Sequence, residues 1–245
     1  MKSHLLKINQ TSNPQAIALC FFVFALNGCS SNNSGGDGSS STPQGTGEVS
    51  YRLTFQSDWS STSFPTNFPS NAHFSPIVGA THNAQTIIWR PNDQPSTPGI
   101  ESVAESGSTS AFIAELQEQQ QQAYVQNIFS ANGSFSSPGS QFIVFKASQQ
   151  HSMVSAISML APSPDWFIGI RDVELYENGE WLDTIQLELK LYDAGTDLGD
   201  TYSTINENGG DGTITLTTTQ SSNTDFNQGV NRNSGVGIGQ IIIER

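Results

Sequence analysis

Apolar and polar residues alternate cleanly in two stretches of this chain. From residue 48, Val49, Tyr51, Leu53 and Phe55 stand at every second position. Ile185, Leu187, Leu189 and Leu191 do the same between Gln, Glu and Lys. A period of two belongs to a strand with one face in the core and one in water. Denser apolar runs at 85–90, 141–147, 153–160, 166–170, 173–176, 213–217 and 238–244 predict further strands. Asn178-Gly179, between Tyr176 and Trp181, predicts a tight hairpin turn, because both residues tolerate positive φ. Only 109–123, with Phe112, Ile113 and Leu116 ahead of a glutamine run, carries a helical spacing. Eight or nine short strands with one short helix predict an all-β fold, an antiparallel β-sandwich.

The first residues follow another pattern. Lys2 and Lys7 precede an apolar run at 16–26, which ends in Leu26-Asn27-Gly28-Cys29. A basic start, a short greasy segment and a small-residue cleavage site form a secretory signal. The run is too short for a resident membrane span. Its Leu-x-Gly-Cys ending resembles the lipobox of bacterial lipoproteins. That resemblance implies cleavage before Cys29 and a diacylglycerol on its sulfur. Residues 30–47, SSNNSGGDGSSSTPQGTG, offer nothing apolar to bury and read as a flexible tether. The chain thus divides into a signal peptide (1–28), a Gly/Ser-rich tether from Cys29 to residue 47, and one domain (48–245). Ser30, where an inner-membrane retention signal would place Asp, points by resemblance to enterobacterial sorting toward the outer membrane. The expectation is an exported protein held to the bacterial cell envelope by lipid.

Charge narrows the partners. The chain has 9 basic and 22 acidic residues among 245. Loss of the leader removes two lysines and no acid, which takes the net charge to about −15. Such a field repels phosphate backbones, so nucleic-acid binding is excluded as a function class. Of the two cysteines, Cys20 lies in the leader and Cys29 is the expected lipid site. The domain therefore has no disulfide and no thiolate zinc site.

Acidic residues gather where strands end. Asp193-Ala-Gly-Thr-Asp197-Leu-Gly-Asp200 follows the cleanest strand, and Glu207 and Asp211 follow in a Gly-rich stretch. No Lys or Arg stands between Lys190 and Arg232. Unpaired carboxylates repel one another, and a hard divalent cation relieves that repulsion. Calcium accepts six to eight oxygens in irregular geometry, although this spacing does not fit an EF-hand loop. Composition alone leaves a solvated acidic turn equally open. Asp165 sits between two stiffening prolines and Trp166-Phe167, a rigid strand entrance. It reads as a ligand or as a turn cap.

Four strings in order carry a family resemblance: WSSTSFPTNFPSNAHFSPIVGATHN (59–83), GIESVAESG (99–107), SPDWFIGI (163–170) and YDAGTDLG (192–199). Together they resemble the spondin N-terminal domain, as found in single-domain bacterial lipoproteins. The resemblance implies a C2-domain-like β-sandwich with Ca2+ bound by loops at one end. Its matching acids are Asp165, Asp193 and Asp197 as metal ligands, with Glu105 a possible additional one and Asp200 beyond the matched string. With the lipid anchor expected at Cys29, the leading expectation is a membrane-anchored adhesion or partner-recognition module for an extracellular protein or glycan, and no enzyme. The animal members carry disulfides and thrombospondin repeats that this chain lacks, so only fold and metal transfer. Calcium-dependent carbohydrate binding is the first alternative and a metal-dependent hydrolase the second. His73, His82 and Ser75 are close in sequence, but no Gly-x-Ser-x-Gly elbow or His-Glu-x-x-His motif accompanies them. Trp59, Trp89, Trp166 and Trp181 are expected as core or loop anchors rather than a sugar platform.

Overall fold

A computed structural model describes residues 47–204 and 206–245. The signal peptide, Cys29 and all of the tether but its last residue lie outside them. In chain order the elements are β1 (Val49–Ser57), β2 (His73–Phe74), β3 (Val78–His82), α1 (Pro98–Ser106), α2 (Ser110–Gln121), β4 (Val125–Ser130), β5 (Phe135–Ser136), β6 (Gly139–Ala147) and β7 (Met153–Ala161). There follow β8 (Trp166–Glu174), β9 (Tyr176–Glu177), β10 (Glu180–Trp181), β11 (Thr184–Leu189), β12 (Leu191–Asp193), β13 (Thr215–Leu216), β14 (Phe226–Asn227), β15 (Val230–Asn231) and β16 (Gly239–Glu244).

Two antiparallel sheets face each other. One runs β11-β16-β1-β6, and the other runs β13-β12-β8-β7-β2-β5 with β3 between β7 and β4. The first sheet is the one with legible alternation, because its outer face meets water. Tyr51, Leu53 and Phe55 of β1 turn inward with Phe145, Ile241 and Ile243, while Arg52 stays exposed. Opposite them lie Val154, Ala156 and Leu160 of β7 and Ile168 and Ile170 of β8. Full burial of each large apolar side chain is worth about 1.5–3 kcal/mol. This shared layer is the sandwich core.

The second sheet is covered on both faces. Its outer side carries Val78, Ile157 and Phe167, capped by Ile100, Val103 and Ala104 of α1 and by Phe112 and Leu116 of α2. Burial on both sides erases the period of two, as in the wholly buried β3 (VGATH). The single expected helix, at 109–123, is α2; α1 is a second one. Thr97 caps it, accepting from the Ile100 N–H at 3.2 Å, Pro98 occupies its first turn, and Gly107 closes it with φ 69°. Glu115 of α2 accepts from the Gly99 N–H at 2.6 Å and so fastens the two helices.

Residues 85–90 do not form the expected strand. They make an irregular loop whose Trp89 is buried against Phe167 and Tyr192, its indole N–H donating to the Ile170 carbonyl at 3.1 Å. The apolar content there fills the gap beside the helices instead of pairing in a sheet. The two runs at 166–170 and 173–176 belong mainly to one strand, β8, which is bulged opposite Ser155. Asp172, at the bulge, has φ 48°. Asn178-Gly179 joins β9 to β10 with φ 54° and 87°, as its turn chemistry predicts. Among the described residues no helix is long and apolar enough to cross a membrane.

Candidate metal centre

Register brings the matched acids together. Asp193 ends β12 directly opposite Trp166, the first residue of β8. Asp165 precedes Trp166, so a strand pair places two carboxylates at one sandwich end. The chain then folds back over them. Asp165 Oδ2 accepts from the Thr196 N–H at 2.8 Å and the Asp197 N–H at 3.1 Å, and its carbonyl accepts from Ala194 at 3.1 Å. Asp193 Oδ1 accepts from the Gly195 N–H at 2.8 Å. Asp197 accepts from Gly199 at 2.7 Å through Oδ1 and from Glu207 at 2.9 Å through Oδ2. Gly195 has φ 70°, and a Cβ there would stand 2.6 Å from the Thr213 carbonyl oxygen. Only glycine lets the loop turn this tightly.

One atom is left over. Asp165 is fully buried, and its Oδ1 has no hydrogen-bond partner. Burial pushes its carboxyl up to about 7, and Asp193 and then Asp197 add like-charge repulsion. Hydrogen bonds from the Thr196 and Asp197 amides pull the other way. Burial likewise raises Asp193, offset by the Gly195 amide and by the Trp166 indole beside it. The Trp166 N–H faces that carboxylate without reaching full hydrogen-bond geometry. Among the described residues no salt bridge is made by any of the three aspartates.

Among the described residues, no three His, Cys, Asp or Glu side chains are gathered tightly enough to hold a metal ion as they stand. The loop's own amides hold the aspartates and fill both lone pairs of Asp165 Oδ2, yet Asp165 Oδ1 is free and the bonded oxygens of Asp193 and Asp197 each keep a lone pair. The donor set fits a hard cation on one observation: a buried carboxylate oxygen with nothing to bind.

Glu105 is on α1, where its Oε1 is likewise buried and unpartnered. Asp200 accepts from Asn223 at 2.6 Å. Asp211 is exposed and caps Thr213. The histidines and Ser75 do not assemble. His82 is buried and paired to Ser155 at 2.9 Å, whereas Ser75 Oγ accepts from the Met159 N–H at 2.8 Å. Trp59, Trp89 and Trp166 are buried, as anchors should be.

Beside Asp193 opens a cleft of about 340 Å³, lined also by Asn92, Thr215, Leu216, Thr218 and Gln228. Sequence reasoning missed these residues. The one available signal was Gln228-Gly229, a hairpin turn with glutamine where Asn or Gly is usual.

The architecture is that of a β-sandwich whose loops collect buried acid at one end. The chain belongs to the Spondin_N family, whose model matches residues 49–230. It is 36% identical over 160 residues to rat Spondin-2, covering 64% of this chain and 48% of that protein. Human Spondin-2 is 33% identical over 193 residues, covering 77% and 57%. Chicken Spondin-1 is 31% identical over 172 residues, covering 66% and 21%. The chain thus spans about half the length of the Spondin-2 proteins and about a fifth of Spondin-1.

Proposed function

We propose that this protein is a calcium-binding recognition module of the bacterial envelope. Asp165 and Asp193, with Asp197, hold one Ca2+ at the loop end of the sandwich. The observation that carries this reading is the buried, unpartnered Oδ1 of Asp165 in a site without a basic residue. The ion supplies the positive charge that the three carboxylates lack. The residues do the rest. Asp165 ties the entrance of β8 to the Thr196–Asp197 backbone, and Asp193 ties the end of β12 to Gly195. A neutralised site fixes these separate segments as one rigid surface, which suits adhesion or partner capture. Extracellular calcium modules work at about 10⁻⁴–10⁻³ M. The Leu-x-Gly-Cys motif supports anchoring through lipid on Cys29, with 30–47 as the tether. More than one acyl chain is needed for a stable anchor.

The hydroxyl–imidazole pair of Ser155 and His82 is wholly buried in the β3–β7–β8 packing and makes no bond to the three aspartates, so binding is favoured over catalysis. The test is thermal melting of the full chain with calcium, with magnesium and with chelator. A ligand that binds only the folded state raises the midpoint as its concentration rises. Calcium is expected to do so and magnesium to do so less, since magnesium demands a regular octahedron. An unchanged midpoint in calcium would overturn the proposal.

A further inference from the structure

The cleft beside Asp193 combines three features. It is preformed, because the β14–β15 turn that makes one wall is bonded into the sheet. Gly229 donates to the Thr217 carbonyl at 2.9 Å, and its own carbonyl accepts from Leu191 at 2.9 Å. A Cβ on Gly229 would stand 2.7 Å from the Leu191 oxygen, so the turn is seated as closely as a backbone can be. The opposite wall is pinned where the Asn92 N–H donates to the Ile214 carbonyl at 2.9 Å.

The cleft also keeps two amide side chains on left-handed backbone, which asparagine tolerates and glutamine rarely visits. Asn92 has φ 61° and Gln228 has φ 52°, and both are exposed. The left-handed region costs a residue with a Cβ free energy that glycine avoids, and longer side chains such as glutamine visit it rarely. Gln228 is nevertheless held there, its backbone and side-chain N–H groups donating to Thr218 Oγ1 at 2.9 and 3.2 Å. Strain at Gln228 on the cleft rim motivates a role for that side chain in the cleft.

Apart from the Asp193 carboxylate, the cleft's chemistry is neutral and hydroxylic. Of six lining residues only Leu216 is apolar, and none is basic. Asn and Gln amides and Thr hydroxyls each donate and accept, as sugar hydroxyls do. A volume of about 340 Å³ is at the small end of ligand clefts. The absence of base beside Asp193 disfavours anions.

We infer that this cleft binds a neutral sugar unit of a polysaccharide, with Asn92, Thr218 and Gln228 hydrogen-bonding its hydroxyls. This rests on the recognition reading above and names its ligand class. Asp193 belongs to both sites, so calcium that fixes Asp193 also fixes one wall of the cleft.

The test titrates the full chain by calorimetry with neutral oligosaccharides (gluco-, manno-, xylo- and galacto-series), polygalacturonate and polylysine, each with calcium and with chelator. At least one neutral series is expected to bind. Affinity should fall about tenfold or more in Gln228→Gly and Asn92→Gly, which keep the positive φ and remove the amide. Calcium-induced melting shifts should be unchanged in both variants, which shows them folded and the metal end intact. Binding that survives both substitutions overturns the inference, as does a response confined to polylysine or polygalacturonate or to none of the probes. If sugars fail while calcium still raises the midpoint, the cleft inference alone falls. If calcium has no effect while sugars bind through Gln228, the metal reading falls and the cleft stands.

Discussion

Two carboxyl groups of this protein, Asp165 buried and Asp172 partly buried, sit in opposite electrostatic settings. Asp172, at the β8 bulge, lies 2.9 Å from Arg90, 3.7 Å from Arg171 and 3.8 Å from His82. Its N–H donates to Ser155 Oγ at 2.9 Å, and Ser155 in turn faces His82 Nε2. His82 Nδ1 meets the Asn83 carbonyl at 3.0 Å and therefore carries the ring proton. Each of these residues has at least one partner, although the Arg90 Nε has none, and the knot stitches β3, β7 and β8 beneath the 85–90 loop. Asp165, at the start of the same strand, has two amide donors on one oxygen and nothing on the other. Its charged neighbours are acids. A closed polar network stabilises a fold; an open one of a single sign costs stability until something arrives. The difference separates a structural cluster from a binding site.

Asp165→Asn breaks the comparison most strongly. With its carboxyl raised from 3.8 to about 7 in the fold, ionisation without metal opposes folding. The folded state holds the proton more tightly, so the penalty is absent below about pH 4, grows as pH rises, and is complete above about pH 7. It amounts to at most about 4 kcal/mol. In chelator at pH 8, Asp165→Asn should raise the denaturation midpoint, and urea titrations at several pH values should show the wild-type decline flattened.

Asp172→Asn should do the reverse. Removal of the charge that Arg90 and Arg171 surround is expected to cost about 2 kcal/mol, read as a lower urea midpoint with an unchanged slope. Calcium at a hundred times its Kd should add about 2.7 kcal/mol to the wild type and to Asp172→Asn, and nothing to Asp165→Asn. The smallest effect concerns His82. Burial lowers its pKa, so the unfolded chain takes the proton first and stability falls as pH drops below about 6.5. His82→Gln should remove that part of the acid loss, which opposes the gain from protonating Asp165 across the same range.

Sheet and helices differed in how clearly they could be read. β1, β11 and β16 were legible because solvent on one face imposes alternation. β3 was not, since both its faces are buried. Ile87, Ile88 and Trp89 read as a strand for the same reason in reverse: apolar density reports burial, not pairing. α1 announces its ends with Thr97-Pro98 and Gly107, but its nine residues are too few for a periodic signal. At the site, the order of the family strings pointed to Asp165, Asp193 and Asp197, and the β8–β12 register is what makes them neighbours. Glu105 stands in another of those strings, on α1, with a buried unpartnered oxygen of its own. Asn92, Thr218 and Gln228 come from three separate segments, and their convergence is a property of the sheet edge that no local pattern carries.

Calorimetric titration of calcium into the full chain, Asp172→Asn and Asp165→Asn tests the central claim most directly. The account predicts one ion per chain in the first two and none in the third. Equal uptake by Asp165→Asn, or none by the wild type, would contradict it.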